Sequence, residues 1–506
     1  MKITRNLSEA AAREYDLVIV GGGIYGAMLA YEASRRGLLA LLLEQNDFGG
    51  ATSFNSMKTI HGGLRHLQNL NLNLYFQFVK ERQWFLNTFP GFVKPLPVLM
   101  PLYGTGLRRP SILRLALQLD KLLAGKWNNG VSAKRRLPFG EIVSAQRVKE
   151  IFPRVNPRGL KGGAVWYDAC VPDLQRLLIE IVRGACSMGA TALNYMKAVN
   201  ILRENNRVTG VTARDETHKS FEFHSNIVVN AGGPWARKNA ALFDQDFPWL
   251  FRSSLAWNVL FDRPALSEYA LAAVSQEAGA QVYFLHPWKG RLLVGTGHAL
   301  RSEVLENPQP TSGELAAFIE DLNRAIPGLN LERKEVLHVF SGFLPVKQER
   351  SVRLSKSEVV IDHSKHNGPQ GLFSISGVKL TTARLVAEKL LTQIFPAHSS
   401  SLSSTHLFTN AQSNEYSYSG IFDYAWLPEE HDSGWREQML RIIEEEVVCH
   451  LDDLVLRRTS IGDNPVRSLQ IAPMLGTLFE WDEQRYRQEI SRLKNHFQWL
   501  KPDPPD

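Results

Sequence analysis

The stretch "DLVIVGGGIYGAMLAYEASRRGLLALLLE" (Asp16–Glu44) decides the fold. Leu17–Val20 is a short, wholly apolar run, as expected of a parallel strand buried on both faces. Gly21, Gly23 and Gly26 follow it in G-x-G-x-x-G spacing. The first glycine permits a tight turn, the second admits a pyrophosphate to the backbone, and the third lets the next helix pack against the strand. That helix, expected over residues 24–36, points its free N-terminal amides at the phosphates. Gly37 closes it, residues 38–43 make a second strand, and Glu44 ends that strand. A carboxylate about 20 residues beyond the glycines is placed to bind a ribose diol. Strand, turn, helix, strand and acid in this order predict an α/β dinucleotide-binding unit. Glycine spacing alone does not choose between FAD and NAD.

With 506 residues the chain exceeds one hydrophobic core, so two or three domains are expected. Hydrophobic content of 44% and charged content of 22% suit a globular protein. The cysteines Cys170, Cys186 and Cys449 form no C-x-x-C pair and read as reduced thiols. The N-terminus is polar and no apolar run reaches the roughly 18 residues of a membrane span. A cytoplasmic protein is therefore expected, with the inner face of the membrane as an alternative. The net charge of +7 suits an anionic substrate, cofactor phosphates or an anionic membrane face. Its basic residues are scattered rather than run together, so no nucleic-acid partner is expected, and no metal set is evident. Residues 107–127 form a basic, Leu-rich segment whose apolar residues fall at helical spacing after Pro110. It reads as a helix on a domain flank, or as one lying on a membrane surface.

Further along, residues 226–236 run a buried strand into Gly232–Gly233–Pro234, and residues 371–391 repeat the order strand, glycine turn, helix. Residues 255–261, 281–288 and 291–300 read as neighbouring sheet strands. Residues 397–420 are Ser/Asn-rich and read as a linker, and 421–506 as a small helical unit.

The loop after the second strand, "ATSFNSMKTIHGGLRHL" (Ala51–Leu67), packs hydroxyls, Lys58, His61, paired glycines and Arg65 into a short span. Together with the opening stretch, "VNAGGPWA" (Val229–Ala236), "SGFLP" (Ser341–Pro345), "GVKLTTAR" (Gly377–Arg384) and "VVCHLDDLVLRRTSIG" (Val447–Gly462), it resembles the FAD-dependent glycerol-3-phosphate dehydrogenases of the D-amino-acid-oxidase superfamily. The resemblance covers nearly the whole chain and favours FAD over NAD. It implies an α/β fold with a glutathione-reductase-type, Rossmann-like FAD domain (1–90, 160–235 and 346–396). A β-sheet substrate domain (91–159 and 236–345) and the C-terminal helical domain complete it.

By motif match the resemblance implies that Gly21, Gly23, Gly26 and Glu44 hold the ADP half of FAD. Thr52, Ser53, Lys58, His61, Gly62, Gly63 and Leu64 line the rest of the cofactor. Ala231, Gly232 and Trp235 close its adenine side, and Gly377, Lys379, Leu380 and Thr381 reach the flavin ring. Lys379 and the helix start behind Thr381 would stabilise the negative charge of reduced flavin.

The implied reaction moves a hydride from a carbinol C–H to flavin N5, with the hydroxyl proton taken by a base. Arg65 matches the family's substrate arginine. His66 stands where the family has tyrosine and is a candidate base, with His61 as a second. Electrons would leave to a quinone, oxygen or a carrier protein; the oligomeric state is not legible.

The substrate half departs from the family pattern. Leu344 replaces a phosphate-binding arginine, a second arginine falls at Lys356, and "GTTD" becomes "GTGH" with Gly297 and His298. "GGK" reads "GVK", and Ala383 replaces a tyrosine. A lost guanidinium removes a charged hydrogen bond worth roughly 1.5–3 kcal/mol. The default substrate is thus a small anionic polyol phosphate, and the alternative is another alcohol, an amine or an amino acid.

Overall fold

A computed structural model describes residues 2–104, 109–123, 128–274, 282–301, 303–346, 355, 357–398, 422–428 and 434–497. Lys356 and residues 399–420, most of the expected linker, lie outside them.

Leu17–Val20 and Ala40–Leu43 are buried throughout, as their unbroken apolar runs require. They pair in parallel, Leu17 opposite Ala40, at the middle of a six-stranded sheet. Val228–Asn230 pairs in parallel on the other side of Leu17–Val20, with Val18 opposite Val228. Leu372–Ser376 follows in parallel, Val359–Asp362 closes that edge antiparallel, and Thr191–Leu193 lies at the other edge. The fingerprint helix Ile24–Ser34 is buried almost all round. It therefore lies inside the layer, packed against helices Leu174–Ser187 and Ala383–Ile394. A three-stranded antiparallel sheet (Lys197–Glu204, Arg207–Arg214, Ser220–His224) covers the opposite face.

The second body is a nine-stranded sheet in the order 336–345, 253–264, 291–300, 282–288, 270–274, 94–102, 162–170 and 59–60, with 141–143 beside 162–170. The three runs read as neighbouring strands are neighbours here. Residues 162–170, grouped by sequence with the dinucleotide half, instead make the strand next to one edge of this larger sheet, between 94–102 and 59–60. Their antiparallel register with Lys94–Leu102, Trp166 opposite Val98, places them there. Helix Ser312–Ala325, opened by a Thr311–Glu314 capping box, packs Leu315, Phe318 and Leu322 against Trp257, Val259 and Phe343.

The basic segment forms helix Pro110–Leu123, which buries Leu113, Ala116 and Leu117. Its outer face shows Leu115 and Leu122. The C-terminal helices Gly434–Glu445, Pro465–Gly476 and Glu483–His496 have their own apolar core. Buried ion pairs tie them to the first body, Arg176 and Arg183 to Glu446 and Arg458 to Asp47. No helix among the described residues is long and apolar enough to cross a membrane.

Candidate active site

The glycine turn is built by exclusion. Gly21 has φ 111°, and a Cβ there would lie 2.6 Å from the Ala231 carbonyl oxygen. A Cβ on Gly26 would lie 1.8 Å from the carbonyl oxygen of Gly21, so only glycine lets the helix close on the turn. A Cβ on Gly23 would meet nothing but the Ser53 hydroxyl, at 3.1 Å, so this backbone faces open space. Ser53 Oγ accepts from the Ile24 amide at 2.9 Å and brings the following loop onto the helix N-terminus. Glu44 accepts from the amides of Gly22 (2.6 Å) and Asn46 (2.9 Å). Burial raises its carboxyl above the usual range, opposed by those amides.

The far end is held by Tyr25, a fingerprint residue. Its hydroxyl donates to the Lys379 carbonyl (2.9 Å) and accepts from the amides of Val378 (3.0 Å) and Lys379 (3.2 Å). Burial pushes the phenol up to about 12, so it remains a donor. A Cβ on Gly377 would collide with the Tyr25 ring at 1.8 Å, and the glycine is what lets the ring reach the turn. The Thr381 hydroxyl accepts from the His61 amide at 3.2 Å, joining the "GVKLTT" and "IHGG" segments.

Behind His61 stands Asp168, buried on the strand 162–170. It accepts from the Gly62 amide at 2.7 Å and faces His61 Nδ1 at 3.3 Å. The buried Arg82 guanidinium lies 3.7 Å away. Burial alone would raise the Asp168 carboxyl, but the His61 hydrogen bond and the Arg82 charge hold it below the ordinary value. A Cβ on Gly62 would sit 1.9 Å from Arg82 Nη1, so the glycine makes room for this buried cation.

A cavity of about 730 Å³ runs between these ends, walled by Gly21, Gly23, Glu44, Thr52, Ser53, Ala231, Gly232, Trp235, Leu344, Gly377, Lys379 and Leu380. Thr52 is pinned from the other body, donating to the Phe343 carbonyl at 2.8 Å. The Lys379 ammonium lies 4.5 Å from the centre of the Phe78 ring.

The remaining expected residues stand elsewhere. Lys58 turns away from the cavity wall, donates to the Phe54 carbonyl at 2.6 Å and lies between the Phe54 and Phe340 rings. Burial lowers its ammonium to about 8. Arg65 is exposed on the short helix Leu64–Gln68, and the His66 ring packs 4.9 Å from that of Phe78. His61, Gly62, Gly63, Leu64, Arg65, His66, Thr381 and His298 are not among the residues walling the cavity. His298 lies on strand 291–300 opposite Ala256, and burial lowers its pKa. Beside it Gly297 faces Trp257, whose indole would be 2.2 Å from a Cβ there.

Sequence reasoning missed Tyr25, Arg82 and Asp168. Of these only Asp168 left a signal, an acid inside the otherwise apolar strand 162–170. The glycine cradle, the Glu44 acceptor and the long cavity ending at Lys379 fit a dinucleotide whose far end carries a ring.

A family model described as FAD dependent oxidoreductase matches residues 16–393. The chain belongs to this family. A glycerol-3-phosphate dehydrogenase from Synechocystis sp. is 30% identical over 409 residues, 77% of this chain and 72% of that protein. The aerobic glycerol-3-phosphate dehydrogenase of Bacillus subtilis is 29% identical over 388 residues, 76% of this chain and 68% of its own. Among solved structures, the glycerol-3-phosphate dehydrogenase from Bacillus halodurans complexed with FAD aligns over 99% of this chain and 98% of that one. Its TM-score is 0.72 at 20% identity. Glycine oxidase from Geobacillus kaustophilus shares the fold at TM-score 0.54 and 17% identity, over 79% of this chain and 100% of its own. The protein is thus an FAD-dependent oxidoreductase related to the glycerol-3-phosphate dehydrogenases, with the mixed α/β fold of that family.

Proposed function

We propose that this flavoenzyme oxidises a CH–OH group of a small anionic polyol phosphate, with glycerol 3-phosphate as the first candidate. The observation that carries the reading is the junction at Thr381, where the His61 segment meets the "GVK" turn at the Lys379 end of the cavity. FAD, once bound, supplies the two-electron acceptor. Gly21, Gly23 and Glu44 would hold its ADP half, and Gly377, Lys379 and Leu380 would stand at its ring. The Lys379 ammonium would supply positive charge beside a ring that gains electrons.

His61, half-exposed beside the cavity rather than on its wall, is the base this reading favours. Its Nδ1 faces the Asp168 carboxylate, and a proton held there leaves Nε2 free to accept the substrate hydroxyl proton. Asp168, fixed by the Gly62 amide and Arg82, orients the ring and stabilises the imidazolium formed. His66, packed on Phe78, and the exposed Arg65 require a local rearrangement of helix 64–68 to act on substrate.

A second reading rests on Leu344, which gives the cavity wall an apolar side chain where a phosphate asks for a guanidinium. On that reading the substrate is a different alcohol, an amine or an amino acid. The electron acceptor is a quinone, oxygen or a carrier protein. Leu115 and Leu122, on the helix face that also carries exposed Arg114 and Lys121, suit contact with an anionic membrane surface.

Anaerobic titration with glycerol 3-phosphate, lactate, glycine and proline tests the reading. Bleaching of the flavin band by the polyol phosphate supports it. Bleaching by an amino acid alone moves the assignment to the second reading.

A further inference from the structure

The C-terminal helices reach the cofactor cavity through two adjacent arginines. Arg458 is fully buried, and its Nη2 donates to Asp47 Oδ1 at 2.9 Å and to the Glu446 carbonyl at 2.9 Å. Asp47 opens the loop that follows Glu44. Arg457, 8% exposed, donates from Nη2 to the Gly50 carbonyl at 3.1 Å and from Nη1 to the Leu456 carbonyl at 3.2 Å. Its guanidinium carbon lies 4.5 Å from the centre of the Phe54 ring, and the residue walls the cavity.

The two arginines differ in how their charge is met. Arg458 has the Asp47 carboxylate. Arg457 has two neutral carbonyls and a ring, and among the described residues no carboxylate lies within 4.0 Å of it. The Asp47, Asp452 and Asp453 carboxylates act on it only from farther off, and the guanidinium, nine-tenths buried, stands on the cavity wall within reach of an anion bound there.

The position of Gly50 says which anion. The Gly49 amide donates to the Gly22 carbonyl at 3.0 Å, and Ser53 accepts from Ile24 at the helix N-terminus. Residues 49–53 are therefore laid directly on the G-x-G-x-x-G turn, where a pyrophosphate meets the backbone. Lys379 belongs to a separate turn.

We infer that Arg457 is the counter-charge for the pyrophosphate of FAD, so that the C-terminal helical segment completes the cofactor cradle and governs flavin retention. Arg458, through Asp47, is the positioning residue that sets the loop Arg457 grips. The inference rests on the flavoprotein reading but not on the identity of the substrate.

Flavin release from the purified holoprotein, followed as fluorescence on dilution, tests it. Arg457→Gln is expected to raise the FAD Kd by about 10- to 100-fold, the range of a charged hydrogen bond. Riboflavin, which has no phosphate, is expected to bind wild type and Arg457→Gln alike. Arg457→Lys keeps the charge and is expected to stay within about fivefold of wild type for FAD. Should Arg457→Gln fail to fold, the lysine variant decides: retention supports the inference, and loss of FAD overturns it. Unchanged FAD affinity in Arg457→Gln overturns it, as does an equal loss of riboflavin. A raised KM for glycerol 3-phosphate with FAD affinity intact assigns the charge to substrate and also overturns it. If the wild type holds no FAD, the flavoprotein reading itself fails.

Discussion

The two ends of the cavity are specified in different ways. At the glycine turn the determinants are backbone and missing side chains: Gly21 and Gly26 close a turn that no larger residue permits, and Glu44 is held by amides of that turn and of its own loop. Around the Lys379 turn, where substrate is proposed to bind, they are side chains borrowed from distant segments, several of them behind the cavity wall rather than on it. Asp168 lies 107 positions from His61, Thr381 lies 320 away, and Leu344 comes from a strand of the other sheet. A backbone cradle tolerates few substitutions and keeps its motif, whereas a side-chain face is rewritten one residue at a time.

The largest test of this contrast is Gly26→Ala. With the new Cβ 1.8 Å from the Gly21 carbonyl oxygen, turn and helix must separate, at a cost of about 3 kcal/mol or more. The protein should purify with little flavin, read as the ratio of 450 nm to 280 nm absorbance. Near-full flavin content would show that the turn has slack, and would break the contrast.

Asp168→Asn is expected next. It leaves the buried Arg82 without its carboxylate, for about 3 kcal/mol of stability, and leaves His61 Nδ1 and the Gly62 amide to compete for one neutral amide oxygen. Flavin content should stay near wild type while the rate of flavin reduction falls at least tenfold. Equal reduction rates would remove His61 from the chemistry.

Tyr25→Phe joins the two ends. It leaves the Val378 and Lys379 amides without their hydroxyl acceptor, for about 1–3 kcal/mol. If the "GVK" turn meets the flavin ring as proposed, a shift of the flavin absorption bands is expected with little change in FAD affinity. Loss of FAD with unshifted bands would mean the turn serves binding alone.

Leu344→Arg sharpens the substrate end. For a phosphorylated substrate the added guanidinium should lower KM by about tenfold, or roughly 1.4 kcal/mol. A raised KM together with turnover of an amino acid would favour the second reading.

The smallest effect is one of pH on the seam between the C-terminal helices and the three-stranded sheet. Burial would lower the His450 imidazolium, but hydrogen bonds to Glu216 and Glu489 overcome it and push the group up to about 9. Its stabilisation is full below about pH 6.5, the unfolded value, and is lost as pH rises through 9. The unfolding midpoint of wild type should fall across that window, and that of His450→Gln should fall less.

The glycine turn and its strands were legible because their determinants are local: glycines, a strand and an acid within 28 residues, Leu17–Glu44, all speak through their spacing. The sequence carried the sheet neighbours 255–261, 281–288 and 291–300 for the same reason, as apolar runs broken by turns. It did not carry the partners of His61. Nothing in residues 51–67 says that the loop turns Lys58 inward between Phe54 and Phe340 or leaves Arg65 exposed. Nor does a motif reveal that Tyr25 reaches a turn 354 residues away. Such placements depend on how two sheets meet, which no single segment encodes.

The central claim is that a bound flavin takes electrons from a polyol phosphate at the Lys379 end of this cavity. Rapid anaerobic mixing of the purified yellow protein with glycerol 3-phosphate tests it most directly. The expected result is bleaching of the flavin band in a single kinetic phase, slowed in Asp168→Asn. A flavin that stays oxidised under glycerol 3-phosphate but bleaches under glycine or proline would contradict it, as would a protein that carries no flavin.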